Sequence, residues 1–294
     1  MKKAIFLLAF SSWLLVSGGS VYGGVFNVRD YGVVGDDKTD NTPAFSKCMD
    51  AIQTDARNAW QTLVSDVNDP QNLGTADINY RYARMAKAEG VVPPVKGPML
   101  DSARALQFVR SKAKEWNLDK QRVGAAGGSA GGCSSLWLAY HDDLADPKSA
   151  DPVARESTRL FCAAVKAPQT TLDPKQMKEW TPNSTYGGHA FGLNSFDQFL
   201  ANREKIMPWI KEYSPYELVS AGDPPVYLFY ETPPNLGRVE KDPTHTANFG
   251  LKLQEQCASN HLPCELVYPG APDVTHPTLT DYLIAMLKTG LKMP

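Results

Sequence analysis

The stretch GAAGGSAGGCSS, residues 124–135, surrounds the hydroxyl of Ser129 with five glycines and three alanines. Within it, Gly127-Gly128-Ser129-Ala130-Gly131 reads G-x-S-x-G, the spacing of a serine nucleophile on a sharp strand-to-helix turn. The chemistry such a serine serves is acyl transfer. Small neighbours let the backbone turn tightly and push the hydroxyl outward, and they leave the Ala130 N–H at a helix start, where an oxyanion can sit. The competing reading is a glycine-rich packing turn or a phosphate loop. Neither G-x-G-x-x-G nor G-x-x-x-x-G-K-[ST] can be read here, which favours the nucleophile.

A serine hydroxyl is a weak nucleophile. It needs an imidazole within hydrogen-bond reach to take its proton and a carboxylate to fix that imidazole's tautomer. The chain offers five histidines. His141, at the end of the helix behind Ser129, reads as a helix cap, and His261 as a turn residue. His189, in STYGGHAFG, reads either as lining a substrate pocket or as plain loop. His245, close behind Asp242, reads either as a pocket residue or as the neighbour of a helix cap.

The elements that must position these residues alternate. ADINYR (76–81), RVGAAG (122–127), LFCAAV (160–165), PVYLFY (225–230) and CELVYP (264–269) have the character of short buried strands. Between them lie helical patterns such as DSARALQFVRSKAKEW, with Ala105, Leu106, Val109, Ala113 and Trp116 on one stripe. Strands alternating with helices predict an α/β fold, a mostly parallel sheet with helices on both faces. Ser129 then falls between the strand RVGAAG and the helix AGGCSSLWLAYH.

Composition narrows the partners. With 43% hydrophobic and 21% charged residues and a net charge of -2, the chain has the make-up of a soluble globular protein with no basic excess for phosphate backbones. Nucleic acid is not an expected partner. The opening MKKAIFLLAFSSWLLVSGGSVYG predicts a secretory signal peptide over residues 1–23, because its apolar core is short of the roughly 20 residues a membrane span needs. The mature protein is therefore expected to be secreted or periplasmic, with no membrane association after signal removal. Five cysteines are too few for a disulfide scaffold; Cys257 and Cys264 either pair or are buried as small apolar residues. The acidic run Asp36, Asp37 and Asp40 lacks a glutamate at the twelfth position and reads as a solvated turn. No metal and no organic cofactor is expected.

From about Asp77 onward the chain resembles α/β-hydrolase-fold esterases, in particular secreted bacterial members of the feruloyl and acetyl esterase group. The residues that carry this are INYRY, DSARALQFVRSKAKEWNLDKQRVGAAGGSAGG, WLAYHDDLADP and PGAPDVTHP. The resemblance implies a triad in the order serine, acid, histidine: Ser129 as nucleophile, Asp242 as acid and His276 as base, the other reading of His276 being a surface-loop histidine; Ala130 stays the oxyanion donor read from the turn, and His189 and His245 stay candidate pocket residues. Glu231, at the end of PVYLFY, competes with Asp242 for the acid. The family's His-Gly-Gly-Gly segment, source of a second oxyanion donor, is missing, since no histidine precedes His141. The hydrolase sheet is accordingly expected to lack its first strands.

Residues 25–45, VFNVRDYGVVGDDKTDNTPAF, resemble the entry of pectate-lyase-like right-handed β-helix proteins, although no stacked repeats follow. The expected organisation is a signal peptide (1–23), an N-terminal segment (24–75) with residues 53–75 unassigned, and a hydrolase domain (76–294). The expected activity is hydrolysis of short acyl or feruloyl esters, on small molecules or attached to plant polysaccharide. The alternative is an impaired hydrolase-like or carbohydrate-associated protein lacking the oxyanion segment.

Overall fold

The described residues are organised by one six-stranded sheet, with strand order β2-β1-β3-β4-β5-β6. The strands are β1 (Gln61–Val67), β2 (Leu73–Asp77), β3 (Leu118–Gly128), β4 (Ala163–Lys166), β5 (Val226–Phe229) and β6 (Cys264–Val267). The structure, a computed structural model, describes residues 61–67, 73–78 and 80–289. The signal-peptide and β-helix-entry segments lie outside the described residues, as does Cys48.

Strands β3 to β6 run parallel, as the alternating pattern requires, while β1 is antiparallel to both β2 and β3. Where the sequence leaves 53–75 unassigned and expects the first strands to be missing, the chain runs β1 and most of β2. The expected boundary at 75/76 falls inside β2.

Among the described residues, five helices have eleven or more residues: α1 (Lys96–Ser111), α2 (Ala130–Tyr140), α3 (Arg203–Tyr213), α4 (Asn248–Ser259) and α5 (Leu279–Thr289). Alternation along the strands divides the core. Ala125, Val165, Leu228 and Leu266 join Leu106, Leu136 and Leu253 of α1, α2 and α4 in one apolar cluster. Ala126, Ala164, Tyr227 and Val267 face the other way, onto Tyr282, Leu283 and Met286 of α5. Each fully buried leucine contributes about 1.5–3 kcal/mol, and Leu106, Leu136, Leu253 and Leu283 are all 0% exposed.

Two of the recognisable sequence motifs meet in space. Arg81 of INYRY grips Asp101 of α1 with both Nε (2.8 Å) and a terminal nitrogen (2.7 Å), while its backbone N–H donates to the same carboxylate at 3.0 Å. This two-point contact fixes the chain between β2 and α1 against the helix that flanks the nucleophile helix.

Candidate active site

The site begins with a strained turn. Ser129 stands between β3 and α2 at φ 50 and ψ -119, a region that side-chain-bearing residues rarely adopt. Its backbone N–H donates to the Lys166 carbonyl at the end of β4 (3.0 Å), and its carbonyl accepts from the Cys133 N–H (2.9 Å). Glycine is required around it. A Cβ on Gly127 would lie 2.3 Å from the Gly131 carbonyl oxygen, so strand and helix can approach this closely only if position 127 carries no side chain. Ala130 opens α2, and the first N–H groups of a helix have no intrahelical partner, which leaves them available to a developing negative charge.

The Ser129 Oγ is 2.9 Å from Nε2 of His245. On the far side of that ring, Nδ1 is 2.8 Å from Oδ2 of Asp242. The other carboxylate oxygen, Oδ1, accepts the backbone N–H groups of Thr244 (3.1 Å) and His245 (3.3 Å). Partial burial works against ionisation of Asp242, but the His245 hydrogen bond and charge, with the two backbone donors, outweigh it and hold the carboxyl below its ordinary value. The result is a continuous chain from hydroxyl through imidazole to an ionised carboxylate. Acid and histidine come from one loop, three residues apart, between β5 and α4.

The sequence-predicted residues are distributed as follows. Ser129, Asp242 and His245 are brought together; His276 is not, so neither the pairing of Ser129 with His276 nor that of Asp242 with His276 is formed. His276 Nδ1 is 2.6 Å from Oε2 of Glu265, whose Oε1 accepts the backbone N–H groups of Thr275 and His276, and the ring stands edge-on to Tyr282. The register shows why it stays away. Ala126 aligns with Ala164, Tyr227 and Glu265 across three strand spacings, and Ser129 lies three residues further along β3. That separates Ser129 from Glu265 by roughly 14 Å across the sheet and roughly 10 Å along it. A histidine tied to Glu265 cannot reach the serine.

Glu231 pairs with Lys166 at 2.9 Å and is 71% exposed. His189 sits in a short 3-10 turn, Gly188–Phe191, exposed and edge-on to Tyr186 at 4.8 Å, with no hydrogen bond to Ser129, His245 or Asp242. His141 caps α2, and His261 adopts φ 59 in the turn before β6. Cys133, Cys162, Cys257 and Cys264 are free thiols, Cys257 within 3.3 Å of the Tyr140 hydroxyl. Among the described residues, no group of three or more His, Cys, Asp or Glu side chains could hold a metal ion, and no helix is long and apolar enough to cross a membrane.

Sequence reasoning missed two features. The glutamate in the otherwise apolar strand CELVYP was a usable signal, because a carboxylate placed in a sheet needs a partner, and His276 supplies it. The role of His245 carried no comparable signal, since D-P-T-H ahead of a helix also suits a simple cap.

The BD-FAE family model matches residues 53–236, well over half the chain. The chain belongs to the BD-FAE family. The BD-FAE match takes in β1, β2 and Ser129 and ends before Asp242, His245 and His276. No curated protein matches.

Among solved structures, an acetyl ester-xyloside bifunctional hydrolase from Caldicellulosiruptor lactoaceticus is 24% identical, with 68% of this chain and 62% of that one covered, at a TM-score of 0.49. An esterase from the Planctomycetes species Thermogutta terrifontis is 24% identical, over 67% of this chain and 59% of that one, at 0.46. The chain thus spans about three fifths of these two relatives. A truncated carbohydrate esterase from gut microbiota is 15% identical, over 73% and 74%, at a TM-score of 0.50. This likeness is one of fold, and the fold of this BD-FAE chain is that of the α/β-hydrolases.

Proposed function

We propose that the protein is a serine hydrolase of carboxylic esters, with Ser129 as nucleophile, His245 as general base and Asp242 as the carboxylate that orients it. The observation that carries this is the unbroken Ser129–His245–Asp242 hydrogen-bond chain, at 2.9 and 2.8 Å, on a turn whose serine is held at φ 50.

His245 Nε2 takes the hydroxyl proton as Oγ attacks the ester carbonyl. Asp242 stabilises the imidazolium, and the Ala130 N–H donates to the oxyanion. Collapse of the intermediate returns the proton from His245 to the leaving alcohol and leaves an acyl group on Ser129. Water, deprotonated by His245, then releases the acid and regenerates the hydroxyl.

Short acyl or feruloyl esters, free or attached to plant polysaccharide, are the proposed substrates, supported by membership of the BD-FAE family and the motifs that resemble feruloyl and acetyl esterases. An exported protein is proposed from its first 23 residues. The missing His-Gly-Gly-Gly segment favours a second reading, a hydrolase body without turnover. Hydrolysis of p-nitrophenyl acetate by the purified protein separates the two. The ester-hydrolase reading expects turnover that Ser129→Ala abolishes; equal rates for the two proteins would overturn it.

A further inference from the structure

His245 and Asp242 ride on a long connection between β5 and α4, and Asp242 itself is 62% exposed. Something else must set where this loop lies, because an imidazole displaced by about 1 Å can cost on the order of a hundredfold in rate. Two side-chain amides grip the backbone on either side of Asp242. Asn183 donates from Nδ2 to the Glu240 carbonyl (2.8 Å) and accepts the Glu240 N–H at Oδ1 (3.1 Å), two residues before Asp242. Gln169, only 2% exposed, donates from Nε2 to the carbonyl of Thr244 (2.8 Å), the residue preceding His245.

Gln169 also lies three residues beyond Lys166, whose carbonyl receives the Ser129 N–H. The backbone just past β4 therefore holds the nucleophile turn through Lys166 and the histidine loop through Gln169. Further along, Asn248 ties Asn235 to Trp180, three residues before Asn183, accepting the Asn235 N–H (2.7 Å) and donating to the Trp180 carbonyl (2.9 Å).

We propose that Gln169 and Asn183 are positioning residues that hold the Asp242–His245 loop so that His245 meets Ser129. The inference rests on the reading of these three residues as a triad. Neither amide touches the reacting atoms. Each acts by satisfying one stretch of loop backbone, and because both restrain the same loop their effects are coupled.

The test uses the full chain with Gln169→Met, which keeps length and volume but has no donor, and Asn183→Asp, which keeps the acceptor for Glu240 N–H and loses the donor. Turnover of p-nitrophenyl acetate is measured beside circular dichroism, thermal unfolding and the rate at which a fluorophosphonate labels Ser129. Positioning predicts folded variants with kcat and labelling rate reduced roughly 10- to 100-fold, KM within about threefold, and a double variant less impaired than the product of the singles. Folded variants with kcat within twofold of wild type, or with only KM raised, would overturn the proposal. Loss of the fold in both would also overturn it, since the amides would then be structural alone. Ser129→Ala and His245→Ala run alongside: if they stay active, the triad reading fails, whereas inactive triad variants beside normal Gln169→Met and Asn183→Asp overturn only the positioning role.

Discussion

Replacing Asp242 with asparagine changes one carboxylate oxygen into an NH2 group, and the surrounding hydrogen bonds dictate which one. Oδ1 accepts the N–H groups of Thr244 and His245, so the amide oxygen must remain there. The NH2 is thereby forced to the position of Oδ2, 2.8 Å from His245 Nδ1. Two donors cannot face each other, so Nδ1 must become an acceptor and the ring proton moves to Nε2. His245 then donates to the Ser129 hydroxyl when it should accept from it. A base held in the wrong tautomer costs roughly ten-thousandfold in kcat, about 5 kcal/mol of barrier. The exposed position of Asp242 means the fold itself survives. Steady-state hydrolysis of p-nitrophenyl acetate, with thermal unfolding as the control, checks both halves. Asp242→Asn within tenfold of wild type, beside a crippled Glu231→Gln, would refute this reasoning and make Glu231 the acid.

Other expectations follow from single features of the site. Gly127→Ala places a Cβ 2.3 Å from the Gly131 carbonyl oxygen, against backbone that cannot swing aside, and should cost about 1–3 kcal/mol together with most of the activity; thermal melting and turnover both unchanged would contradict it. Burial pushes the Cys133 and Cys162 thiols up to about 12, so iodoacetamide at pH 8 should leave hydrolysis intact, and rapid inactivation with label on Cys133 would count against the buried site. Asp242 should titrate below the ordinary carboxylate value of about 3.9 in a carbon-13 NMR pH series, since a lowered folded pKa gives stability that is complete above that value and is lost as pH falls through the folded one. A midpoint above it would show that partial burial outweighs the His245 contact.

Much of this arrangement is written locally. G-x-S-x-G between an apolar strand and an apolar helix specifies the Ser129 turn because only glycine fits at Gly127, where β3 touches the backbone of α2 at Gly131. The parallel strands are legible as short runs of small and branched residues, buried on both faces. Asp242 is legible as a carboxylate in the loop that follows β5.

Which histidine meets the serine is not local information. It depends on how far along and across the sheet each loop ends, and Glu265 draws His276 back to the level of Ala126. The hairpin of β1 and β2 was equally hidden, since β1 pairs antiparallel with β3 across fifty intervening residues that include β2 and α1, and no local pattern announces such a pairing.

The base proposed for Ser129 is His245, and not His276. The direct measurement is pre-steady-state acylation by p-nitrophenyl acetate, followed by release of nitrophenolate, in folded His245→Ala and His276→Ala proteins. His245→Ala should lose the acylation rate by about ten-thousandfold or more. His276→Ala, which loses its contacts with Glu265 and Tyr282 but none with Ser129, should stay within about threefold of wild type, far short of the loss that removing a catalytic base causes. An active His245→Ala enzyme beside an inactive, correctly folded His276→Ala enzyme would contradict it.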